Sequence, residues 1–145
     1  MKIALSSADS FVAPYIMEML GDSLVEIPDD KLDEPASLDA LLTPCNALIH
    51  INSRPVDSSV ARDDRESYVI MREKARPILD AVDRHGSLHM IILGTLRVNP
   101  QWEPGEEYYG YDSTLAPRDV AAEGQLWIEE KNMSNRWKND IHSLA

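Results

Sequence analysis

The sequence predicts an α/β fold, a doubly wound parallel sheet of about four strands with helices on both faces. Two observations support this prediction. Short apolar runs alternate along the chain with segments whose apolar residues recur at helical spacing. The runs are apolar throughout, as in parallel strands that are buried on both faces. Right-handed crossovers between consecutive strands then favour the strand order 2-1-3-4.

The first half of the chain is predicted to contain three strands and two helices. The strands lie in KIALS, SLVEIP and NALIHIN. Pro14 is expected to begin the first helix, because the first turn leaves the N–H that proline lacks unused, and Gly21 to end it. A second helix is predicted in PASLDALL, with Ser37 as its N-cap.

The second half is predicted to contain one strand and two longer helices. A helix over 65–84 carries Met71, Ala75 and Leu79 on one stripe. Pro77 removes a backbone hydrogen bond inside this helix, so a bend is expected there. The fourth strand is HMIILG, and the segment after it is rich in proline, glycine and tyrosine, which indicates an irregular loop.

The last helix is predicted over 116–131 and is followed by a polar tail. The tail contains three apolar residues at helical spacing, which allow a short final helix: Trp137, Ile141 and Leu144. We therefore predict one domain over 1–131 and a C-terminal tail over 132–145.

The charge and the cysteine content exclude several classes of partner. The 145 residues carry a formal net charge of -11, which repels nucleic acid and anionic membranes. Cys45 is the only cysteine, so an intrachain disulfide and a cysteine-cluster metal site are excluded, and no metal site is predicted. The chain has no apolar run of ~20 residues and no signal-peptide pattern at its N-terminus. We expect a cytoplasmic protein without nucleic-acid or membrane partners.

Five segments follow one another in an order that is typical of one family. SSADSFVA stands where that family has T-G-x-x-G-x-x-G after its first strand. NALIHINS is similar to its strand D-x-V-x-H-x-A-A, with His50 at the histidine. MREKARPILDAVDRHG is similar to its helix N-x-x-G-T-x-N-L-L-E-A-A, HMIILGTLRV to its strand ending in S-S-x-x-V-Y, and AAEGQL to the A-A-E after its catalytic Tyr-x-x-x-Lys. From Lys2 to Lys131 the chain resembles a truncated, degenerate extended short-chain dehydrogenase/reductase of the NAD-dependent epimerase/dehydratase family. This resemblance implies a Rossmann-like NAD(P)-binding fold.

The resemblance places the phosphate-binding glycines of the family at Ser7, Ser10 and Ala13. Those glycines allow a tight turn, the approach of a pyrophosphate to the backbone, and close packing of helix on strand. A Cβ at a left-handed position costs about 1–2 kcal/mol, so tight dinucleotide binding is expected to be lost. Helix N-terminal amides and serine hydroxyls leave weak anion binding open, with Phe11 and Val12 in the same loop. Alternatively, Ser7 and Ser10 serve only as turn and cap residues.

Two further positions correspond to cofactor contacts in the family. Glu26, near the end of the second strand, would bind an adenosine ribose, although a solvated acidic turn is the simpler explanation. His50 would lie at the cofactor cleft, or is a hydrogen-bonded core histidine. The segment between the second and third strands is shorter than in the family, so the sheet is expected to be trimmed on its adenine side. We expect no bound cofactor; NAD and NADP are the candidates if one is bound.

The catalytic positions exclude the hydride-transfer chemistry of the family. Thr95 retains the residue type of the catalytic serine or threonine, but the tyrosine and lysine positions fall on Leu115 and Asp119. The reaction needs a phenol whose pKa a neighbouring ammonium lowers, and leucine has no proton to transfer. No Tyr-x-x-x-Lys occurs in the chain. Tyr68 and Arg72 have a similar spacing on another helix, where an exposed i, i+4 pair is expected.

Three functions therefore remain. The first is a non-catalytic relative that self-associates, because the family forms dimers through a four-helix bundle of the helices that correspond to 65–84 and 116–131. The second is an enzyme with altered chemistry on NAD(P) or a nucleotide sugar, to which Thr95, His50 and the loop tyrosines could contribute. The third is a partner subunit of a full-length homologue, because the substrate-binding lobe of the family is missing. The first is our working hypothesis.

Overall fold

The computed structural model describes residues 1–51, 64–94, 117 and 120–143. Their strands are β1 (Ile3–Ser6), β2 (Leu24–Glu26), β3 (Ala47–Ile51) and β4 (His89–Leu93). They form one sheet with the order β2-β1-β3-β4, in which each neighbouring pair is parallel. The predicted doubly wound parallel sheet and its strand order are confirmed.

The first helix, α1 (Ala13–Leu20), begins and ends as predicted. Pro14 stands in its first turn, and Gly21 follows its last residue with a φ of 49°. Glycine adopts this positive φ without the steric penalty of a side chain. Ala13, Ile16 and Met17 pack against one face of the sheet.

The second helix, α2 (Pro35–Leu42), corrects the predicted cap. Its N-cap is Glu34, and Ser37 lies inside the first turn, where its hydroxyl donates a 2.7 Å hydrogen bond to the Glu34 carboxylate. The prediction was wrong because Pro35, with a φ already suited to a helix, starts it two residues earlier.

The third helix, α3 (Asp64–His85), covers the predicted range and continues through Pro77. One ion pair connects it to the segment before α2, and another connects it to α2 itself. Lys74 Nζ lies 2.7 Å from an Asp29 carboxylate oxygen, and Arg84 lies 2.7 Å from one of Asp39. The predicted stripe of Met71, Ala75 and Leu79 is buried, as its spacing requires.

The fourth helix, α4 (Val120–Ser143), extends well past the predicted end at Lys131. The limits 116–131 were wrong at the C-terminal end because the sequence from Asn132 to Ser143 contains no glycine or proline to end a helix. The helix allowed in the tail by the spacing of its apolar residues is formed as a continuation of α4.

Helices cover the two faces of the sheet unequally within the described residues. The larger core lies between one face and helices α2, α3 and α4, and its largest buried side chains include Leu38, Leu42, Leu48, Ile78, Leu79 and Ile128. The other face carries a small core of Leu5, Ala13 and Ile51 beneath α1. No helix in this part of the chain is long and apolar enough to cross a membrane.

The strand β2 is an edge strand, and no described strand lies beyond it. A short 3-10 turn, Asp29–Lys31, and α2 follow it directly. This agrees with the expectation that the sheet is trimmed on this side. Cys45, after α2, is buried, and burial raises the pKa of its thiol.

Candidate functional site

The carboxyl ends of β1 and β3 bring two polar side chains together. Ser6 and His50 are paired across these strands, and each is only 2% exposed. The Ser6 hydroxyl and His50 Nδ1 share a hydrogen bond of 2.6 Å. Ligands of open α/β sheets bind at the carboxyl ends of the strands, so this pair forms part of the floor of the candidate site.

The ring of His50 is neutral at pH 7. Burial lowers the pKa of His50 to about 4, because the charged imidazole would lose its hydration. Nδ1 is occupied by Ser6, and Nε2 has no hydrogen-bond partner among the described residues. His50 is therefore a hydrogen-bonded core residue whose Nε2 is unpartnered within the described part of the chain, and it supplies no positive charge to the site.

The loop between β1 and α1 keeps a left-handed residue at its first position. Ser7 has a φ of 58°, and it is the one non-glycine residue with positive φ in the described part of the chain. The Ser10 N–H donates to the Ser7 carbonyl at 3.0 Å, and the Ala13 N–H donates to the Ser10 carbonyl at 3.2 Å. The tight turn that glycine gives the family is formed here by serine.

The other two glycine positions are occupied differently. Ser10 is buried, and its hydroxyl has no hydrogen-bond partner among the described residues. Ala13 is fully buried in the contact of α1 with the sheet. The cap expected at Ser10 was wrong: the N-cap of α1 is Val12, and no side chain caps the helix. In the first turn of α1 the Ala13 N–H is already paired with the Ser10 carbonyl, and Pro14 has no N–H.

Three predicted contact residues lie around this loop and are exposed. Phe11 and Val12 complete the loop with side chains in solvent. Glu26 ends β2 opposite Leu5 of β1, so it lies at the same end of the sheet as Ser6 and His50. The structure therefore places the predicted cofactor-binding residues at one end of the sheet.

The predicted catalytic positions fall outside the described residues. Thr95 follows Gly94, the last described residue after β4, and Leu115 and Asp119 lie in the segment before α4. The tyrosines of that segment also lie outside. The replacement of the tyrosine and lysine of the family is a property of the sequence and holds independently of their placement.

Sequence analysis missed Gln125, which is fully buried on α4. A Cβ built on Gly94 would overlap the Gln125 side-chain amide, so the end of β4 and α4 meet closely here. The amide nitrogen donates a hydrogen bond to a Glu129 carboxylate oxygen. The signal was present: Gln125 is a polar residue at three-residue spacing from Ala122 and Ile128, which are both buried.

The pair of Tyr68 and Arg72 is half-buried rather than exposed as expected. The Arg72 guanidinium lies 5.3 Å from the centre of the Tyr68 ring and 4.4 Å from that of Trp127 on α4. Its Nη1 lies 3.5 Å from the Tyr68 hydroxyl. The expectation failed because α4 packs against this side of α3 and provides an aromatic surface for the guanidinium.

The described residues contain no group of histidine, cysteine, aspartate and glutamate side chains that could hold a metal ion.

Comparison with known proteins identifies similar folds among solved structures and nothing at the sequence level. No protein-family model and no curated protein matches the sequence. The structure is similar to UDP-glucose 4-epimerase of Thermus thermophilus in complex with NAD, with a TM-score of 0.72 and 14% identity over 97% of this chain and 52% of the epimerase. UDP-N-acetylglucosamine 4-epimerase of Bacillus cereus gives a TM-score of 0.72 and 14% identity over 97% of this chain and 56% of that one.

A third similar structure is RMD from Pseudomonas aeruginosa in complex with NADPH, with a TM-score of 0.66 and 19% identity over 90% of this chain and 48% of that protein. The chain thus spans about half the length of these enzymes. At identities this low, the structural similarity establishes the fold alone. The fold is a Rossmann-like parallel sheet of the kind found in NAD(P)-dependent epimerases and reductases. The resemblance drawn from the sequence is confirmed at that level.

Proposed function

We propose that this chain is a degenerate relative of the epimerase/dehydratase enzymes that lacks oxidoreductase activity and acts by associating with a second copy of itself. The observation that carries the proposal is a set of exposed large apolar side chains on a chain with a net charge of -11. Apolar clusters that are exposed on an otherwise polar surface mark interaction sites. A full-length homologue is the alternative partner.

The chemistry of the described site supports the loss of activity. Ser6 and His50 are hydrogen bonded to each other and sealed from solvent, and the His50 ring is uncharged at pH 7. The tyrosine position holds Leu115, which has no proton to transfer, and the lysine position holds Asp119, whose negative charge would raise rather than lower the pKa of a neighbouring phenol.

Light scattering coupled to gel filtration tests the association. We expect twice the chain mass at micromolar concentrations, and no oxidation of NADH or NADPH with sugar-nucleotide substrates. A monomer at every concentration, or turnover of either cofactor, contradicts the proposal. Co-purification from the native host distinguishes a homologous partner from a second copy.

A second candidate function, binding of NAD(P) or a nucleotide sugar, is favoured by the loop after β1. The left-handed Ser7 retains the turn, the first-turn amides of α1 carry no side-chain cap, and the Ser10 hydroxyl has no partner among the described residues. These groups suit a phosphate, for which helix N-termini are natural sites. The negatively charged phosphate of a bound nucleotide would lie against this loop, and Glu26 would lie near its ribose.

Calorimetric titration with NAD, NADP and a UDP-sugar tests this candidate. Saturable binding that Ser10→Leu weakens would support it. The matched control is Ser87→Leu, a change at an exposed serine in the turn before β4, which is expected to leave binding unchanged. Flat titrations with all three ligands would exclude the candidate.

A further inference from the structure

Large apolar side chains are exposed along one side of α1. Phe11, Tyr15 and Met19 are 82%, 61% and 85% exposed, and their four-residue spacing places them on one helical face. Val12, 38% exposed, lies beside them. The rings of Phe11 and Tyr15 meet edge to face with centroids 6.2 Å apart. We call these four residues the α1 stripe. It points away from the sheet, because Ala13, on the opposite side of the helix, is buried against it.

A second apolar surface lies on the sheet itself. Ile91 and Leu93 of β4 are 40% and 37% exposed. Successive side chains of a strand alternate between faces, and Met90 and Ile92 point into the larger core, so Ile91 and Leu93 are on the face that carries α1. Ile49, their half-buried neighbour on β3, is on the same face. We call Ile49, Ile91 and Leu93 the β3–β4 patch.

The helix α1 covers this face only in part. Its residues pack with Leu24 of β2, Leu5 of β1 and Ile51 at the end of β3. Among the described residues, no helix covers β4, whose Ile91 and Leu93 are exposed on this face. A parallel sheet is stable when both faces are covered. Within the described part of the chain, the α1 stripe therefore packs against no sheet, and the β4 side of this face packs against no helix.

We propose, building on the proposed self-association, that the α1 stripe of each copy covers the β3–β4 patch of a second copy. A two-fold axis parallel to the strands stacks the β2–β1 half of one sheet over the β3–β4 half of the other. The same two-fold rotation then covers the β3–β4 patch of each copy with the α1 stripe of the other, as in an isologous dimer. The result is a five-layer arrangement: the two α1 helices lie side by side between the two sheets, and helices α2, α3 and α4 of each copy form the outer layers.

The proposed arrangement fixes which residues meet. Because α1 runs antiparallel to the strands, Phe11 lies at their carboxyl ends and Met19 near their amino ends. The strands of the two copies run in the same direction about this axis. Phe11 therefore meets Leu93 of the second copy, and Met19 lies near His89 of the second copy.

The area and the charge are sufficient for such a dimer. Phenylalanine and tyrosine bury 150–250 Å² each, so Phe11 and Tyr15 supply roughly 600 Å² over two copies. A specific interface needs about 1,200 Å², and Val12, Met19, Ile91 and Leu93 supply further apolar area on each copy. The stripe and the patch contain no charged residue. The acidic residues on this side of the molecule, Asp9, Glu18 and Asp22, lie at the rim of the stripe rather than in it.

Substitutions on the two surfaces test the arrangement by sedimentation or light scattering. Met19→Glu and Ile91→Lys are each expected to weaken dimerisation by about tenfold or more, with an unchanged circular dichroism spectrum. Met133→Glu and Val69→Glu are the matched controls, because these residues are exposed on α4 and α3, the helices that the family resemblance predicts for the interface. Both controls are expected to remain dimeric.

A rescue pair tests the predicted register. In Met19→Glu/His89→Lys, opposite charges would meet across the interface, so the double variant is expected to recover much of the dimer that Met19→Glu loses. A wild-type monomer would refute the proposed self-association itself. A wild-type dimer that survives Met19→Glu and Ile91→Lys but dissociates in the two controls would refute this surface and leave self-association intact.

Discussion

At the scale of the residue, Ser7 is the one non-glycine residue of the described backbone with a strained, left-handed conformation. Its φ of 58° lies in the left-handed region, where a Cβ costs about 1–2 kcal/mol relative to glycine. Strained residues of this kind persist where the surrounding structure requires the turn. Here the turn directs the chain from β1 into α1.

Ser7→Gly is therefore expected to stabilise the protein. Relief of the strain exceeds the greater backbone entropy of glycine in the unfolded chain by about 0.5–1 kcal/mol. Urea denaturation measures the free energy of unfolding. Ser87→Gly is the control for a serine-to-glycine change outside this loop, and an equal gain there would show that strain at Ser7 is not the cause.

The buried His50 makes stability depend on pH. Its pKa is about 4 in the folded protein and 6.5 as the reference value. Between these values the unfolded chain binds a proton that the folded chain does not, so the free energy of unfolding decreases as the pH falls from 6.5 toward 4. The full decrease from this residue is roughly 3 kcal/mol.

Denaturation of the wild type and of His50→Gln at several pH values isolates this contribution. Glutamine retains a group that can hydrogen bond to Ser6 but does not titrate, so the difference in stability between the two proteins is expected to shrink with acidification. A difference that is constant over this pH range would show that His50 titrates normally.

At the scale of the element, the close contact of β4 with α4 requires glycine at position 94, because glycine has no side chain. A Cβ at Gly94 would overlap the buried amide of Gln125. Gly94→Ala is expected to destabilise the fold by about 1–2 kcal/mol, because the amide must move and its hydrogen bond to Glu129 must break.

A double-mutant cycle identifies the cause of that loss. Removing the amide in Gly94→Ala/Gln125→Ala makes room for the new methyl group, so the combined effect is expected to be smaller than the sum of the single effects. Additive losses would place the strain elsewhere.

The sequence predicted elements better than their contacts. The apolar runs identify the strands because central strands of a parallel sheet carry apolar side chains on both faces, and the order of the elements favours the observed sheet topology. The end of α4 was placed too early because the sequence after Lys131 becomes polar, although no glycine or proline interrupts the helix there. The cap of α2 was missed because Pro35 starts the helix before Ser37. The environment of Arg72 was missed because it depends on Trp127, which is distant in sequence.

The candidate site was predicted in part. The family frame placed Ser7, Ser10, Glu26 and His50 at one end of the sheet, which the structure agrees with. The positive φ of Ser7 and the burial of the Ser10 hydroxyl depend on how the turn packs, and composition does not encode this. Gln125 was overlooked because its significance comes from the absent side chain of Gly94 on another element.

At the scale of the whole molecule, the net charge of -11 should oppose any dimer. Asp9, Glu18 and Asp22 are exposed near the α1 stripe, and in the proposed arrangement they approach the second copy. Added salt screens this repulsion, since the Debye length falls from about 10 Å at 0.1 M to about 3 Å at 1 M.

Dimerisation is therefore expected to strengthen as sodium chloride is raised. Sedimentation equilibrium at several salt concentrations measures the dissociation constant. Glu18→Gln provides the comparison, because the removal of one rim charge should reduce the salt dependence. Weaker association at high salt would indicate an interface built on ion pairs instead.

The sealed thiol of Cys45 gives the molecule a built-in reporter of opening. A thiol that is buried, with a raised pKa, reacts with an alkylating reagent only when the surrounding core opens. Since the chain contains no other cysteine, the labelling rate measures a single event, the exposure of the region where α2 leads into β3. Ligands and partner copies that hold the native state closed would each reveal themselves by slowing that one reaction.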